Sequence, residues 1–456
     1  MSERSSIIEE HAWDALEQSI IYYQGRPVGT IAARDPDIVA LNYDQCFVRD
    51  FISSGFLFLI TNRSDIVRQF LEATLKLQPK TTQLDSSKPS RGLMPASFKI
   101  QSVNGQEVLK ADFGDQAIGR VAPADSGLWW IILLRAYVIS TQETTFVHRE
   151  DVQEGIRLIL ELCLVTRFDM YPMVLVPDGA SMIDRRMGLY GHPIDIQALF
   201  YMALKASLEL LIPNQTNQRM IQAVHCRLAP LLKQLRENYW LDPDRLNVIY
   251  RFQVEEYGEE VLNQFNIYSD SIPFYHLVKW LPEAGGYLAG NLGPSQLDCR
   301  FFSLGNLMAV ISSLVDEQQS HQILNVIELR WSDLIGHMPM KLCYPALEDT
   351  EWRIVTGADP KNRPWSYHNG GNWPVLLWML TAAARKMERA ELAHHAIAIA
   401  ERRLVDDQWA EYYDGPEGRL IGKEARRYQT WTIAGYLLAK ELLANPDHLK
   451  LMTFDF

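Results

Sequence analysis

The run SMIDRRMGLYGHPIDIQALFYMALKAS, residues 181–207, concentrates polar chemistry at the start of an apolar-periodic segment. Asp184 stands in a loop with Arg185 and Arg186, a turn with Gly188 and Gly191 follows, and His192-Pro193 opens the helix. Proline suits a first helical turn, where its missing N–H would have had no partner. Taken alone, the run is as compatible with a solvated charge cluster at a helix start as with a ligand site. The same arrangement recurs, however. NYDQCFVRDF (42–51), APADSGLWW (122–130), DRRMGLYGHP (184–193), LDCRFFSLGN (297–306), SYHNGGNWP (366–374) and KEARRYQTW (423–431) each join carboxylate, arginine, amide or histidine to an aromatic. Carboxylates and amides bind paired hydroxyls, and Trp or Tyr faces stack on the apolar faces of sugar rings. For one segment, core aromatics and helix caps are the simpler reading; six in phase point to a pocket for a hydroxyl-rich ligand. The candidate contacts are Arg49, Asp50, Asp125, Trp129, Arg185, His192, His368, Asn369, Arg426 and Gln429.

These segments need a scaffold that gathers them at one end. Apolar periodicity predicts helices over 7–22, 47–61, 63–77, 126–140, 148–167, 192–210, 214–238, 302–314, 316–334, 373–385, 389–405 and 428–444. After the first they pair as 47–77, 126–167, 192–238, 302–334 and 373–405, which leaves 428–444 to pair with the N-terminal helix. In each pair the first member is apolar all round (FISSGFLFLI, GLWWIILLRAYVI, WPVLLWMLTAAA), and the second carries charge on one face (DIVRQFLEATLKLQ). A helix apolar on every face is buried, and an amphipathic one lies outside it. The expected fold is all-α, an (α/α)6 barrel of six helical hairpins in a double ring. It would form one domain over 1–456, with loop insertions at about 78–125, 239–301 and 335–372. Loops of that length are usually functional. Strand-like runs are few, and VLVPDG (174–179) is the best of them.

Composition narrows the class. With 456 residues, 47% hydrophobic and 22% charged, the chain reads as soluble and globular. Its net charge of −12 argues against a nucleic-acid surface. Cys46, Cys163, Cys226, Cys299 and Cys343 are dispersed without a CxxC, as for thiols in a reducing compartment. The acidic, amphipathic N-terminus resembles neither a signal nor a transit peptide, and no apolar run reaches about 18 residues. A cytoplasmic protein without a membrane partner is expected. Zinc spacing, HExxH and Gly-x-Ser-x-Gly are absent, and GGYLAGNLG (285–293) lacks the Lys-Ser/Thr of a phosphate loop. His394-His395 lie on an outer helix and read as solvated. No metal or cofactor is expected.

DGASMIDRRMGLYGHPIDIQALFY, PWSYHNGGNWPVLLW, NYDQCFVRDF, GLMPASFK (92–99) and ARRYQTWTIAGYL resemble the alkaline/neutral invertases of cyanobacteria and plants, glycoside hydrolase family 100. The resemblance runs from about residue 6 to about residue 445. It implies the helical double ring, hydrolysis of sucrose to glucose and fructose near neutral pH, a cytosolic location, no metal, and homo-oligomers that are often hexamers. Glycoside hydrolysis takes one carboxylic acid to protonate the leaving oxygen and a second carboxylate to activate water or attack the anomeric carbon. The resemblance assigns the acid to Asp184 and the second carboxylate to Glu411, in QWAEYYDGPEGR. Barrels of this type generally set acid and base on opposite sides of the sugar ring, which implies inversion.

Two points stay open at this level. Arg185 and Arg186 should lower the pKa of Asp184, whereas an acid catalyst needs it raised. Either the guanidiniums turn to substrate hydroxyls or other carboxylates, or the roles differ. Glu411 has rivals in Asp414, Glu417 and Glu424, and Glu424, which replaces the glutamine usual in such proteins, reads as a rim residue. Asp50 and Asp125 fit sugar-hydroxyl ligands or helix N-caps. The alternatives in function are another glucoside hydrolase on the same toroid, such as a trehalose type, or a silent sugar-binding protein.

Overall fold

The computed structural model describes residues 3–37, 42–81, 90–115, 122–165, 172–176, 179, 181–183, 185–187, 189–244, 246, 277, 279–293 and 296–455. Helix α1 (Glu3–Ser19) leads into a hairpin, β1 (Ile20–Tyr23) and β2 (Arg26–Thr30), and β3 (Cys46–Phe47) precedes α2 (Val48–Ile60). Then come α3 (Ser64–Leu77), the hairpin β4 (Ser97–Val103) and β5 (Gln106–Asp112), α4 (Ser126–Thr141) and α5 (Glu150–Cys163). Strand β6 (His192–Pro193) precedes α6 (Ile194–Leu210) and α7 (Gln218–Asn238). Strands β7 (Trp240–Leu241), β8 (Tyr287–Gly293) and β9 (Gln296–Phe302) precede α8 (Ser303–Ile311) and α9 (Glu317–Leu329). The chain continues through β10 (Cys343–Tyr344), α10 (Leu377–Lys386), α11 (Ala390–Glu401), β11 (Tyr413–Asp414), β12 (Leu420–Ile421) and α12 (Thr430–Ala444).

The apolar helices form a closed ring. Helices α2, α4, α6, α8, α10 and α12 each pack on the next, and α12 returns to α2. Their side chains are buried on all faces: Phe51, Phe56 and Phe58 in α2, Trp129 and Trp130 in α4, Trp378 in α10. The amphipathic members α3, α5, α7, α9 and α11 lie against them, and α1 packs on α12. Among the described residues no helix is long and apolar enough to cross a membrane.

The all-α fold class is corrected. An (α/α)6 barrel of helical hairpins alone does not account for twelve strands in four antiparallel sheets among the described residues. The largest sheet runs β10-β9-β8-β6, with β7 also on β8. A second sheet is β3-β4-β5. Both lie in or beside the stretches expected as long irregular loops. The cause is backbone chemistry: buried N–H and C=O groups must be paired, and away from helices a strand ladder pairs them. The run YLAGNLG of β8 is buried along nearly its whole length. By contrast VLVPDG forms only the bridge Val176–Gly191, with 177 and 178 outside the described residues.

Strands β3, β6 and β9 run without a break into α2, α6 and α8, and so aim the first turn of each helix. Pro193 accordingly caps α6 in an extended conformation instead of sitting inside its first turn. Two glycines permit the close approach. At Gly191 (φ +124°) a Cβ would lie 2.5 Å from the Leu292 carbonyl oxygen, and at Gly305 a Cβ would lie 2.7 Å from Ile194.

Candidate active site

At the N-terminal ends of the inner helices lies a cavity of about 100 Å³, partly open to solvent and lined by polar and aromatic side chains. Four of the six lead-in segments line it: 42–51, 122–130, 366–374 and 423–431. Its polar wall is Asn42, Arg49, Asp50, His368, Glu411 and Gln429, and its aromatic wall is Tyr43, Phe47, Tyr367, Trp373 and Trp431. Ser181 and Met182 join it from the stretch just before Asp184.

Glu411 is 3% exposed and held by two donors. The Tyr43 hydroxyl donates to one carboxylate oxygen at 2.8 Å, and the Arg426 backbone N–H donates to the other at 3.2 Å. The Glu411 N–H returns a bond to the Arg426 carbonyl at 2.8 Å. Burial first, and then the charge of Glu411, holds the Tyr43 hydroxyl well above the usual tyrosine range, so it remains a donor. The guanidinium of Arg426 lies 5.2 Å from the centre of the Tyr43 ring. Of the rival carboxylates, Glu424 is exposed, Glu417 pairs with Arg419 and His337, and Asp414 pairs with Arg363. None of the three lines the cavity.

Across the cavity a second group of charges joins three inner helices. Arg49 grips Asp125 through two bonds, Nε at 2.5 Å and Nη2 at 3.0 Å. The Asp125 side chain therefore makes no capping bond to α4, and Asp50 lies inside the first turn of α2, whose cap is Phe47. Asp125 thus holds the N-cap position of α4 without a side-chain cap, and Asp50 is not a cap. Burial pushes the Asp50 carboxyl up to about 7; Arg49 opposes this, and Glu411 and Asp125 add to it. Asp195 in α6 is also pushed to about 7 by burial, while the Gly305 N–H donates to it at 2.7 Å.

The remaining candidates divide. Gln429 lines the cavity and is fixed by donating to the Ala32 carbonyl (2.9 Å) and accepting from the Trp431 indole (3.1 Å). His368 lines it, stacked on Tyr367 at 3.9 Å. Asn369 does not, because its amide is spent on the backbone of Leu347 and Asn362. Trp129 lies beneath the cavity, in a smaller pocket shared with Arg49 and Met182. His192 is buried with Nδ1 3.1 Å from the Leu292 carbonyl. Asp184 and the Arg185 side chain lie outside the described residues. Arg186 pairs with Asp359 at 3.1 Å.

Sequence reasoning missed several members. Tyr43, Tyr367 and Trp373 sat unselected in segments already marked as aromatic, which was the available signal. Lys361 gave none; its ammonium lies 4.0 Å from the Tyr367 ring centre, and burial lowers its pKa while Glu411 raises it. Among the described residues no group of three His, Cys, Asp or Glu side chains is placed to hold a metal ion.

Comparison with known proteins matches the sequence to a family. The model of the family described as "Alkaline and neutral invertase" matches residues 12–446. Neutral/alkaline invertase 3, chloroplastic, of Oryza sativa subsp. japonica is 54% identical over 99% of this chain and 76% of its own. Alkaline/neutral invertase E, chloroplastic, of Arabidopsis thaliana is 55% identical over 98% of this chain and 73% of its own. Cytosolic invertase 1 of Oryza sativa subsp. japonica is 52% identical over 97% and 79%. Among solved structures, a wild-type glycosidase superimposes with a TM-score of 0.54 at 10% identity, covering 98% of both chains. The GH63 mannosylglycerate hydrolase from Thermus thermophilus gives 0.53 at 11% identity, over 94% of this chain and 99% of that one. At such identities these two speak for the fold alone. The chain belongs to the alkaline and neutral invertase family and is a glycoside hydrolase acting on sucrose.

Proposed function

We propose that the enzyme cleaves the bond between the glucosyl anomeric carbon and the bridging oxygen of sucrose with inversion, Asp184 acting as acid and Glu411 as base. The observation that carries the base assignment is the holding of Glu411. It is the buried glutamate of the cavity wall, and both of its contacts, Tyr43 Oη and Arg426 N–H, are donors to a carboxylate. An oriented acceptor of this kind suits a group that takes a proton from water. Asp184 gives its proton to the bridging oxygen as the C1–O bond breaks, and fructose leaves. Water bonds to C1 from the opposite face as its proton passes to Glu411, and β-glucose forms.

Trp431, Trp373 and Tyr367 bring aromatic surface to the cavity wall, although His368 and Lys361 already cover the Tyr367 ring and Tyr412 stacks on Trp373. Asp50, with its carboxyl near 7, can donate as well as accept at neutral pH, which suits a hydroxyl ligand. The cytoplasmic assignment is supported by five free cysteines and by a relative described as cytosolic.

The test is the anomer first released. Early proton NMR spectra should show β-glucose, and in ¹⁸O-water the label should enter glucose C1. α-Glucose as first product would overturn inversion, and label on fructose would move the cleaved bond to the fructosyl side.

A further inference from the structure

Lys341 is fully buried behind the cavity wall. Its ammonium donates to the Gly370 carbonyl (3.0 Å), the Asn372 side-chain oxygen (2.8 Å) and the Gly415 carbonyl (3.2 Å). All three N–H groups are thereby matched to neutral oxygens. The acceptors belong to two segments that both contribute to the site. Gly370 and Asn372 lie in 366–374, which supplies Tyr367, His368 and Trp373 to the cavity, and Gly415 follows β11, just after Glu411.

The two segments already share a backbone pair, with Asn372 N–H to Tyr413 O at 2.9 Å and Tyr413 N–H to Asn372 O at 2.8 Å. Lys341 adds a second cross-link on the same seam. Asn372 is also tied behind, to the Ile335 and Met338 carbonyls. A buried ammonium is costly and is sustained only by full hydrogen bonding, whereas a methionine would fill the same volume without that cost. The choice of lysine therefore calls for a role beyond filling space.

We propose that Lys341 is a positioning residue for hydrolysis: it holds the segment carrying Glu411 in register with the aromatic wall, and does so fully only while its nitrogen is protonated. The proposal rests on Glu411 being the base. Burial lowers the Lys341 pKa to about 7, with Cys343 beside it, Asp333 on the one-turn helix Trp331–Leu334, Glu417 and Asp414 pulling it upward. Asp414 is itself paired with Arg363, and Glu417 with Arg419 and His337. Once the proton leaves, two N–H groups face three oxygens, and one cross-link is lost. Activity should then fall as pH rises through this titration, in kcat more than in KM, because the base moves while the other sugar contacts remain.

The experiment compares the full-length enzyme with Lys341→Met and Lys341→Arg, measuring kcat and KM for sucrose across about pH 6 to 9.5 beside thermal melts. Lys341→Met should lower kcat about tenfold or more at neutral pH, with KM within about threefold, and should lose the alkaline limb of the parent. Lys341→Arg, charged throughout, should recover part of kcat and move that limb upward. A folded Lys341→Met with parental kcat and an unchanged alkaline limb overturns the proposal. Should Lys341→Met fail to fold, the titration of ¹⁵N-lysine in the parent decides. Titration of the nitrogen together with the limb supports the role, and a nitrogen protonated throughout while kcat falls overturns it. Glu411→Gln, assayed alongside, separates the two readings. An active Glu411→Gln removes the base assignment, whereas an inactive one beside an unaffected Lys341→Met removes only the role given to Lys341.

Discussion

Tyr43→Phe removes one of the two donors that hold Glu411 while keeping the ring on which the Arg426 guanidinium rests. A hydrogen bond to a charged group contributes about 1.5–3 kcal/mol, and about 1.4 kcal/mol is a tenfold change in rate. The Arg426 N–H still reaches the other oxygen at 3.2 Å, so the lower end applies and kcat should fall about tenfold. The sharper test is the same change in a Glu411→Gln background. If Tyr43 works through the base, its removal there should change the residual kcat by no more than about twofold, since coupled groups are not additive. The assay is glucose release at saturating sucrose for the four enzymes of the cycle, with melting curves to establish that each is folded. A tenfold loss in both backgrounds would refute the reasoning, because Tyr43 would then be touching the substrate on its own account. No loss in the parent background would refute it as well.

Glu411→Gln and Asp184→Asn should each cost on the order of 10³-fold in kcat without unfolding the protein, since each removes one of the two proposed proton-transfer groups. Glu424→Gln, an exposed residue, should stay close to the parent, and the reverse ranking would move the base. Asp50 carries a stability signature with a definite sign. Its folded pKa of about 7 lies above the unfolded 3.8, so the stability it contributes is full below about pH 4 and is lost as pH rises through 7. Asp50→Asn should therefore melt higher relative to the parent at pH 8 than it does at pH 4.5. A larger relative loss at pH 8 would contradict the burial argument.

The helices were legible because two kinds of amphipathicity alternate along the chain, and each predicted helix is present with ends displaced by a few residues. The sheets were not. YLAGNLG and QLDCRFF are seven-residue runs with several apolar positions, and runs that short do not separate strand from helix by periodicity. The two-residue strands Cys46–Phe47 and His192–Pro193 have no pattern to detect. At the site, residue type was readable and orientation was not. Within SYHNGGNWP, His368 faces the cavity while its neighbour Asn369 turns to the Leu347 backbone. Asp125 looked like a cap or a sugar ligand because a helix follows it, and its carboxylate went instead to Arg49, 76 residues earlier. Contacts between distant segments leave no local trace, and the bond between Tyr43 and Glu411 is the plainest case.

That bond joins residues 368 positions apart, and α12 packs on α2 across a comparable stretch of chain. Synthesis proceeds at about 5–20 residues per second, so Tyr43 leaves the ribosome roughly 18–74 s before Glu411 exists. Throughout that interval the nascent chain carries an unclosed crescent of apolar helices that lacks Glu411, the proposed base. On that proposal, activity can assemble only after residue 411 has been made. Ribosomes stalled anywhere before position 411 should yield products that never hydrolyse sucrose, however much helix they have formed, and that depend on chaperone shelter for their exposed inner faces.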